Sequence, residues 1–233
     1  YKITMMTIQE SIEVRHSVRA YKEQPLSEEI IKLLKDKIAI LNEKGDLHIQ
    51  LICNESKAFN CLLAKYGKFR GVNNYIVMAG RKSKNFDERV GYYGEQLVLY
   101  AQTIGLNTCW VGLSYSKVPD TFVLNNDERI ACYIAIGYGE TQGVSHKIKT
   151  VEQVSNITSN TPSWFKKGVE AALLAPTAVN QQKFFFEYVG KKGDHYQVKA
   201  HKGFSMVGFT RMDLGIVKYH FEVGSGDVNF KWV

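Results

Sequence analysis

The stretch from Asp87 to Ile104 limits the fold more than any other part of this sequence. Val90, Tyr93, Leu97, Ala101 and Ile104 recur at helical spacing, and Gly105 follows in the position that ends a helix. A helix of that length with one apolar stripe cannot stand alone in water; it must pack against other elements around a shared core. The 233 residues, 45% of them hydrophobic, supply enough apolar surface for one large domain or two small ones. With 23% charged residues and only 4 prolines, wholesale disorder is not expected. No apolar run reaches the roughly 18 residues of a membrane span, and the start lacks a signal-peptide order, so no membrane partner is expected. The opening Tyr1-Lys2-Ile3-Thr4, ahead of Met5-Met6, is left out of the fold argument.

The other elements follow from period and punctuation. A short helix is predicted from Thr7 to Val14, and Ser27 caps a longer one with Glu28 and Glu29 in its first turn. Leu47–Cys53 reads as a strand, Ser56–Tyr66 as a helix, Tyr75–Ala79 as a buried strand, and Thr108–Val111 and Arg129–Ile136 as further strands. The Ser-, Asn- and Thr-rich stretch Ser155–Ser163 reads as a linker between residues 1–155 and 156–233. Beyond it, Thr161-Pro162 opens a helix that Pro176 ends. Phe184–Val189 and His195–Ala200 form a hairpin around Lys191-Lys192-Gly193, followed by a helix over Asp213–Val223 and a short strand near Val228–Trp232. Helices and strands without regular alternation imply an α+β fold.

Cys53, Cys61, Cys109 and Cys132 lie far apart in apolar stretches, with no metal-site spacing. They read as buried free thiols, which suits a reducing cytoplasm. The formal charge of +7 is spread along the chain without a long basic run or a nucleic-acid-binding motif. No nucleic-acid partner is expected; a phosphorylated cofactor and an anionic dinucleotide would use that charge equally well. Gly137-Tyr138-Gly139 follows a strand, but the next glycine is Gly143 and no helical pattern follows, so it is not a dinucleotide fingerprint. Gly224-Ser225-Gly226 lacks a P-loop lysine and reads as a turn.

Two clusters remain that could carry chemistry. Arg15-His16-Ser17-Val18-Arg19 packs two guanidinium groups, an imidazole and a hydroxyl into five residues, a set suited to an anion or to a charged surface turn. Ala175-Pro176-Thr177-Ala178-Val179-Asn180-Gln181-Gln182 is a small, polar loop whose amides offer paired donors and acceptors, or else a plain helix-to-strand turn.

Together with Gly105–Gly112 and the strand ending Gly137-Tyr138-Gly139 with Lys147-Ile148-Lys149 beyond it, these two clusters resemble the motifs of the FMN-dependent nitroreductase family. The family's members are homodimers with FMN at the subunit interface. In them the Ala-Pro-Ser-Ala-x-Asn loop follows the arginine motif by one helix; here that place holds Ile40–Gly45, and the loop opens the second part of the chain instead. The chain therefore resembles an internally duplicated subgroup, whose two halves in one chain imitate the family homodimer around one site. The resemblance implies a nitroreductase-like FMN-binding fold. It also implies NADH or NADPH as reductant, a small-molecule acceptor such as a nitroaromatic or quinone, and function as a monomer, with a homodimer through another surface compatible. Arg15 and Ser17, beside His16, would hold the phosphate and ribityl chain with Lys147 and Lys149. Arg19 would face the N1/O2 edge of the ring. Pro176, Thr177, Ala178, Asn180 and Gln182 would bring the second half to the ring. Trp110 and the Val111-Gly112-Leu113 backbone would lie near N5, where the chemistry occurs, with no protein acid or base implied. A flavin-sensing module without turnover, or a specialised flavin enzyme on the same fold, is the alternative.

Overall fold

The computed structural model describes residues 6–233; the segment Tyr1–Thr4 set aside above lies outside the described residues. In chain order the elements are α1 (Ile8–Val14), α2 (Glu28–Gly45), β1 (Gln50–Ile52), α3 (Leu62–Tyr66), β2 (Tyr75–Arg81), α4 (Phe86–Thr103), β3 (Asn107–Val111), β4 (Glu128–Gly137), α5 (Ser163–Leu173), β5 (Phe184–Lys192), β6 (His195–Lys202), α6 (Thr210–Ser225) and β7 (Phe230–Trp232). This is the mixed α+β class that the irregular alternation implied. Thr7 and Glu10 form a reciprocal capping box on α1, and the Ser27 hydroxyl accepts from Ile30 N–H to start α2.

Strands β1, β2, β4 and β3 form an antiparallel sheet in that spatial order, which leaves β3 at an edge. Both faces of this sheet are covered. Ile76, Met78, Cys132, Ile134 and Ile136 point into the main core, while Tyr75, Val77, Tyr133 and Ala135 point into a second one with Phe59 and Phe69. Burial on both faces explains why these strands are continuously apolar rather than alternating. A second sheet, β5-β6-β7, carries an antiparallel hairpin and a parallel last strand. The hairpin turns at Gly193-Asp194, since Lys192 pairs with His195, so both strands run longer than their patterns suggested.

Helices α4 and α6 cross at the centre of the molecule, and glycine permits the approach. Gly91 lies against the Met212 carbonyl of α6, and Gly215 lies against the Glu88 carbonyl of α4, so a methyl group on either would strike backbone. Each glycine is the sixth residue of its helix. One core runs through both parts of the chain, from Leu34, Ile76 and Leu97 to Phe165, Phe186 and Phe221.

Two expectations change. Ser56–Tyr66 is a 3-10 turn over Lys57–Phe59 and then the short α3, because Ala58 and Phe59 turn into the second core and Cys61 starts a new cap, its sulfur accepting from Ala64 N–H. Ser155–Ser163 is no free linker at its start. Ser155 is buried and bridges to Phe186, and Asn156 exchanges two hydrogen bonds with the Tyr188 backbone, of 2.7 and 3.1 Å. Of the four thiols, Cys109 and Cys132 are buried while Cys53 and Cys61 are half-buried. Among the described residues, no helix is long and apolar enough to cross a membrane.

Candidate functional site

The open edge of β3 faces a cavity of about 370 Å³. Its position follows from the strand alternation. The Thr108 carbonyl points away from β4 and accepts from Val18 N–H at 3.0 Å, so the peptide groups of Trp110, two residues on, face the same outer edge. Past Thr108 that edge has no further strand beside it, and it opens onto the cavity. The remaining walls come from distant parts of the chain: Ser17 and Arg19, Phe69, Val111 to Ser114, Pro176 to Val179, and Phe209, Met212, Asp213 and Ile216. The lining is mostly apolar, with Arg19 as its cation and Asp213 as its carboxylate. A flat, largely apolar ligand with a polar edge suits such walls.

The cavity thus brings together Ser17, Arg19, Trp110, Val111, Gly112, Leu113, Pro176, Thr177 and Ala178 of the residues expected from sequence. Arg15, His16, Lys147, Lys149, Asn180 and Gln182 lie outside its lining. Arg15 is turned inward and buried. Its Nε lies 3.8 Å from the Glu95 carboxylate, and its Nη2 donates to the Leu174 carbonyl at 3.3 Å. Burial lowers its pKa, while Glu95 works to raise it. His16 packs beside Gly143, and burial, Arg15 and His146 together depress its pKa.

Asn180 and Gln182 clip the loop to the Lys147 segment. Both side-chain amides donate to the Lys147 carbonyl at 2.9 Å, and Lys149 returns its ammonium to the Gln182 carbonyl at 2.8 Å. The loop needs such clips because Val179, Asn180 and Gln182 all have positive φ, a costly conformation for residues other than glycine. Asp213 holds the same loop from the other side. One oxygen accepts from Ala178 N–H at 3.0 Å, and the other from the Gln181 amide at 2.6 Å. Burial pushes the Asp213 carboxyl up to about 6, although both hydrogen bonds pull it down.

Behind the cavity lies a buried polar cluster that joins five elements. Glu95, fully buried on α4, accepts from the Trp110 indole N–H at 2.8 Å, and its other oxygen is 2.8 Å from His220 Nε2 on α6. His220 Nδ1 is 3.1 Å from the Ala171 carbonyl, which can only accept, so Nδ1 carries a proton. Arg15 completes the cluster, its Nε 3.8 Å from the Glu95 carboxylate. Trp110 is thereby fixed by its N–H while its ring covers Gly94 and lines the cavity.

Sequence reasoning missed Phe69, Phe209, Met212, Asp213 and Ile216 in the lining. Phe209 adopts a φ of 61° at the cap of α6, and its ring rests on Gly112, where an added Cβ would meet Cζ at 2.7 Å. The only sequence signal is Gly208-Phe209 ahead of a helix, which is common in proteins.

Residues 7–225 match the protein family described as "Putative TM nitroreductase". The chain belongs to this nitroreductase family. Its fold is similar to that of a solved structure described as a putative nitroreductase from Thermotoga maritima MSB8, at 22% identity, with 94% of this chain and 84% of that one covered and a TM-score of 0.65. A nitroreductase family protein from Clostridium difficile 630 matches at 17% identity over 66% of this chain and 99% of its own, with a TM-score of 0.51. A third structure, described as a putative nitroreductase in complex with FMN from Exiguobacterium sibiricum 255-15, matches at 14% identity over 64% of this chain and 95% of its own, also with a TM-score of 0.51. No curated protein matches the chain.

Proposed function

We propose that this nitroreductase-family chain is an FMN-dependent oxidoreductase that passes reducing equivalents from NADH or NADPH to a small-molecule acceptor such as a nitroaromatic or a quinone. One observation carries the reading: Ser17, Arg19 and the Trp110–Leu113 edge meet Pro176–Ala178 in one cavity. The residues fit the cofactor. Apolar and aromatic walls suit a flat ring, the outer edge of β3 offers peptide groups to its polar rim, and the Arg19 cation suits an anionic reduced form. When bound, FMN supplies the two-electron chemistry, taking hydride at N5 and passing two electrons on.

The chain's own residues then bind, orient and exclude water. Trp110 and Phe209 keep the cavity wall dry, and Glu95 holds Trp110 in place. Lys147 is exposed, with no carboxylate partner among the described residues, and together with Ser17 it is the group left to meet a phosphate. Asp213 and the Asn180 and Gln182 clips hold the Pro176–Gln182 loop against the cavity.

The reading extends to architecture. Residues 1–155 and 156–233 are two nitroreductase-like halves imitating a dimer, with one site per chain and function as a monomer. Support comes from the reciprocal Gly91 and Gly215 contacts, each glycine being the sixth residue of its helix. The test is an absorbance spectrum of purified protein, FMN released per chain, and anaerobic addition of NADH and NADPH. About one FMN per chain, bleached by one of the two, is expected. Two FMN per chain overturns the single composite site, and flavin that neither nucleotide reduces overturns the enzyme.

A further inference from the structure

A second cavity, of about 290 Å³, adjoins the first; Phe209 and Met212 line both. Its chemistry is different. Lys202 at the end of β6, Arg211 on the first turn of α6 and Arg129 on β4 face a single carboxylate, Asp87. Arg129 is already paired with Asp87 at 2.6 Å and lies over the Phe86 ring. Lys202 and Arg211 have no carboxylate partner among the described residues. The first turn of α6 lines this lobe as well, and Phe209 supplies it with no side-chain cap. An apolar lobe and a cationic lobe therefore meet across one aromatic ring.

We propose that the cationic lobe seats the diphosphate of the dinucleotide hydride donor, with Lys202 and Arg211 as its contacts. The inference rests on the flavin-dependent reading above. A donor whose flat ring enters the apolar cavity must place its charged diphosphate outside those walls, because burying unpaired charge among apolar groups is costly. Lys147 lies elsewhere, at the clipped loop, whereas Lys202 and Arg211 line the lobe that adjoins the apolar cavity. Arg211 spends one N–H on the Lys84 carbonyl at 3.4 Å. Guanidinium and ammonium groups without a carboxylate partner, beside the N–H groups of a helix start, suit phosphate oxygens.

The test uses the purified holoprotein and two probes. Tetrahydro-NAD, a redox-inert dinucleotide, is titrated by calorimetry; 1-benzyl-1,4-dihydronicotinamide, which has no phosphate, is mixed anaerobically and flavin bleaching is followed. Each of Lys202→Ala and Arg211→Ala should raise the tetrahydro-NAD dissociation constant by up to about fivefold, the effect of one exposed ion contact. The double variant should reach about tenfold or more, and salt should weaken wild-type binding. Bleaching by the benzyl compound should stay within about twofold. Unchanged tetrahydro-NAD binding, or equal loss of both probes, overturns the inference and leaves the flavin reading intact. A wild-type flavin that the benzyl compound bleaches but NADH and NADPH do not also overturns it. If no probe reduces the flavin, the proposed function fails and this inference with it.

Discussion

Arg15→Ala separates two roles for the first arginine of the Arg15–Arg19 motif. If Arg15 serves the buried cluster, its loss should destabilise the fold and affect FMN and riboflavin alike. The magnitude follows from the geometry. Charges 3.8 Å apart attract by about 4 kcal/mol at an effective dielectric constant of about 20. Part of this is offset by the cost of keeping both ions dry. Breaking such a pair from one side typically costs about 3–5 kcal/mol, because the remaining charge stays buried. Glu95 retains His220 and Trp110, each at 2.8 Å, which places the loss near the lower end, about 3 kcal/mol. For a chain of this size that lowers Tm by about 6–12 °C. Urea denaturation and thermal melting measure the loss, and titration of the apo-protein with FMN and riboflavin measures binding. Adding Glu95→Gln to Arg15→Met should recover much of the stability, since no unpaired ion is left. An unchanged melting point, together with a selective loss of FMN over riboflavin, would refute the reasoning and restore Arg15 as a phosphate contact.

Three further outcomes are expected. The Asp213 carboxyl, pushed up to about 6, binds its proton more tightly folded than unfolded, so its contribution is complete below about pH 4 and is lost as pH rises through 6. Wild type minus Asp213→Asn should therefore show stability falling by up to about 3 kcal/mol between pH 4 and 6, and urea midpoints that run parallel across that range would contradict the assignment. Gly91→Ala and Gly215→Ala should each cost about 1–3 kcal/mol or more, since each methyl meets the backbone of the opposing helix; melting curves that match wild type would show that the helices can part freely. Arg19→Gln should keep FMN but lower its reduction potential by some tens of millivolts, about 30 mV for each 1.4 kcal/mol of lost preference for the anionic reduced ring; a spectroelectrochemical titration checks it.

What was legible in the sequence was whatever local pattern decides. The stripe from Val90 to Ile104 and the stop at Gly105 gave α4 to within a residue or so, and Ser27 marked the start of α2. Elements with divided loyalties were harder. Ser56–Tyr66 has helical composition, yet Phe59 serves a core while Leu62 and Tyr66 face solvent, and the chain breaks between them. The site divides in the same way. Residues that line the cavity through their backbone or by direct exposure, such as Gly112, Pro176 and Ser17, stand in motifs that sequence can show. Met212, Asp213 and Ile216 line it only because α6 packs on α4, and no spacing in the chain reveals that. Asp213 looked like the start of a helix; the helix begins three residues earlier, and the carboxylate serves the loop.

The buried cluster also bears on the proposal that one chain holds a complete site. Arg15 and Glu95 come from the first part of the chain, while the Leu174 carbonyl, the Ala171 carbonyl and His220 come from the second. Neither part alone satisfies it: without the second, Arg15 and Glu95 lose their backbone and imidazole partners; without the first, His220 keeps the Ala171 carbonyl but loses Glu95. Polar groups this deeply buried are tolerated only when paired, so the cluster penalises any arrangement in which the two parts separate or slide. The glycine crossing of α4 and α6 sets the distance and the cluster sets the register. Trp110, tied to the same Glu95, carries that register to the cavity wall. Covalent continuity adds a high effective concentration, which on the proposed reading lets the seam assemble within one chain. Cutting between Ile157 and Thr158 should therefore abolish flavin binding in each fragment, and mixing the fragments should restore part of it. An N-terminal fragment that binds FMN by itself as a homodimer would show that the second part of the chain is not the missing half of the site.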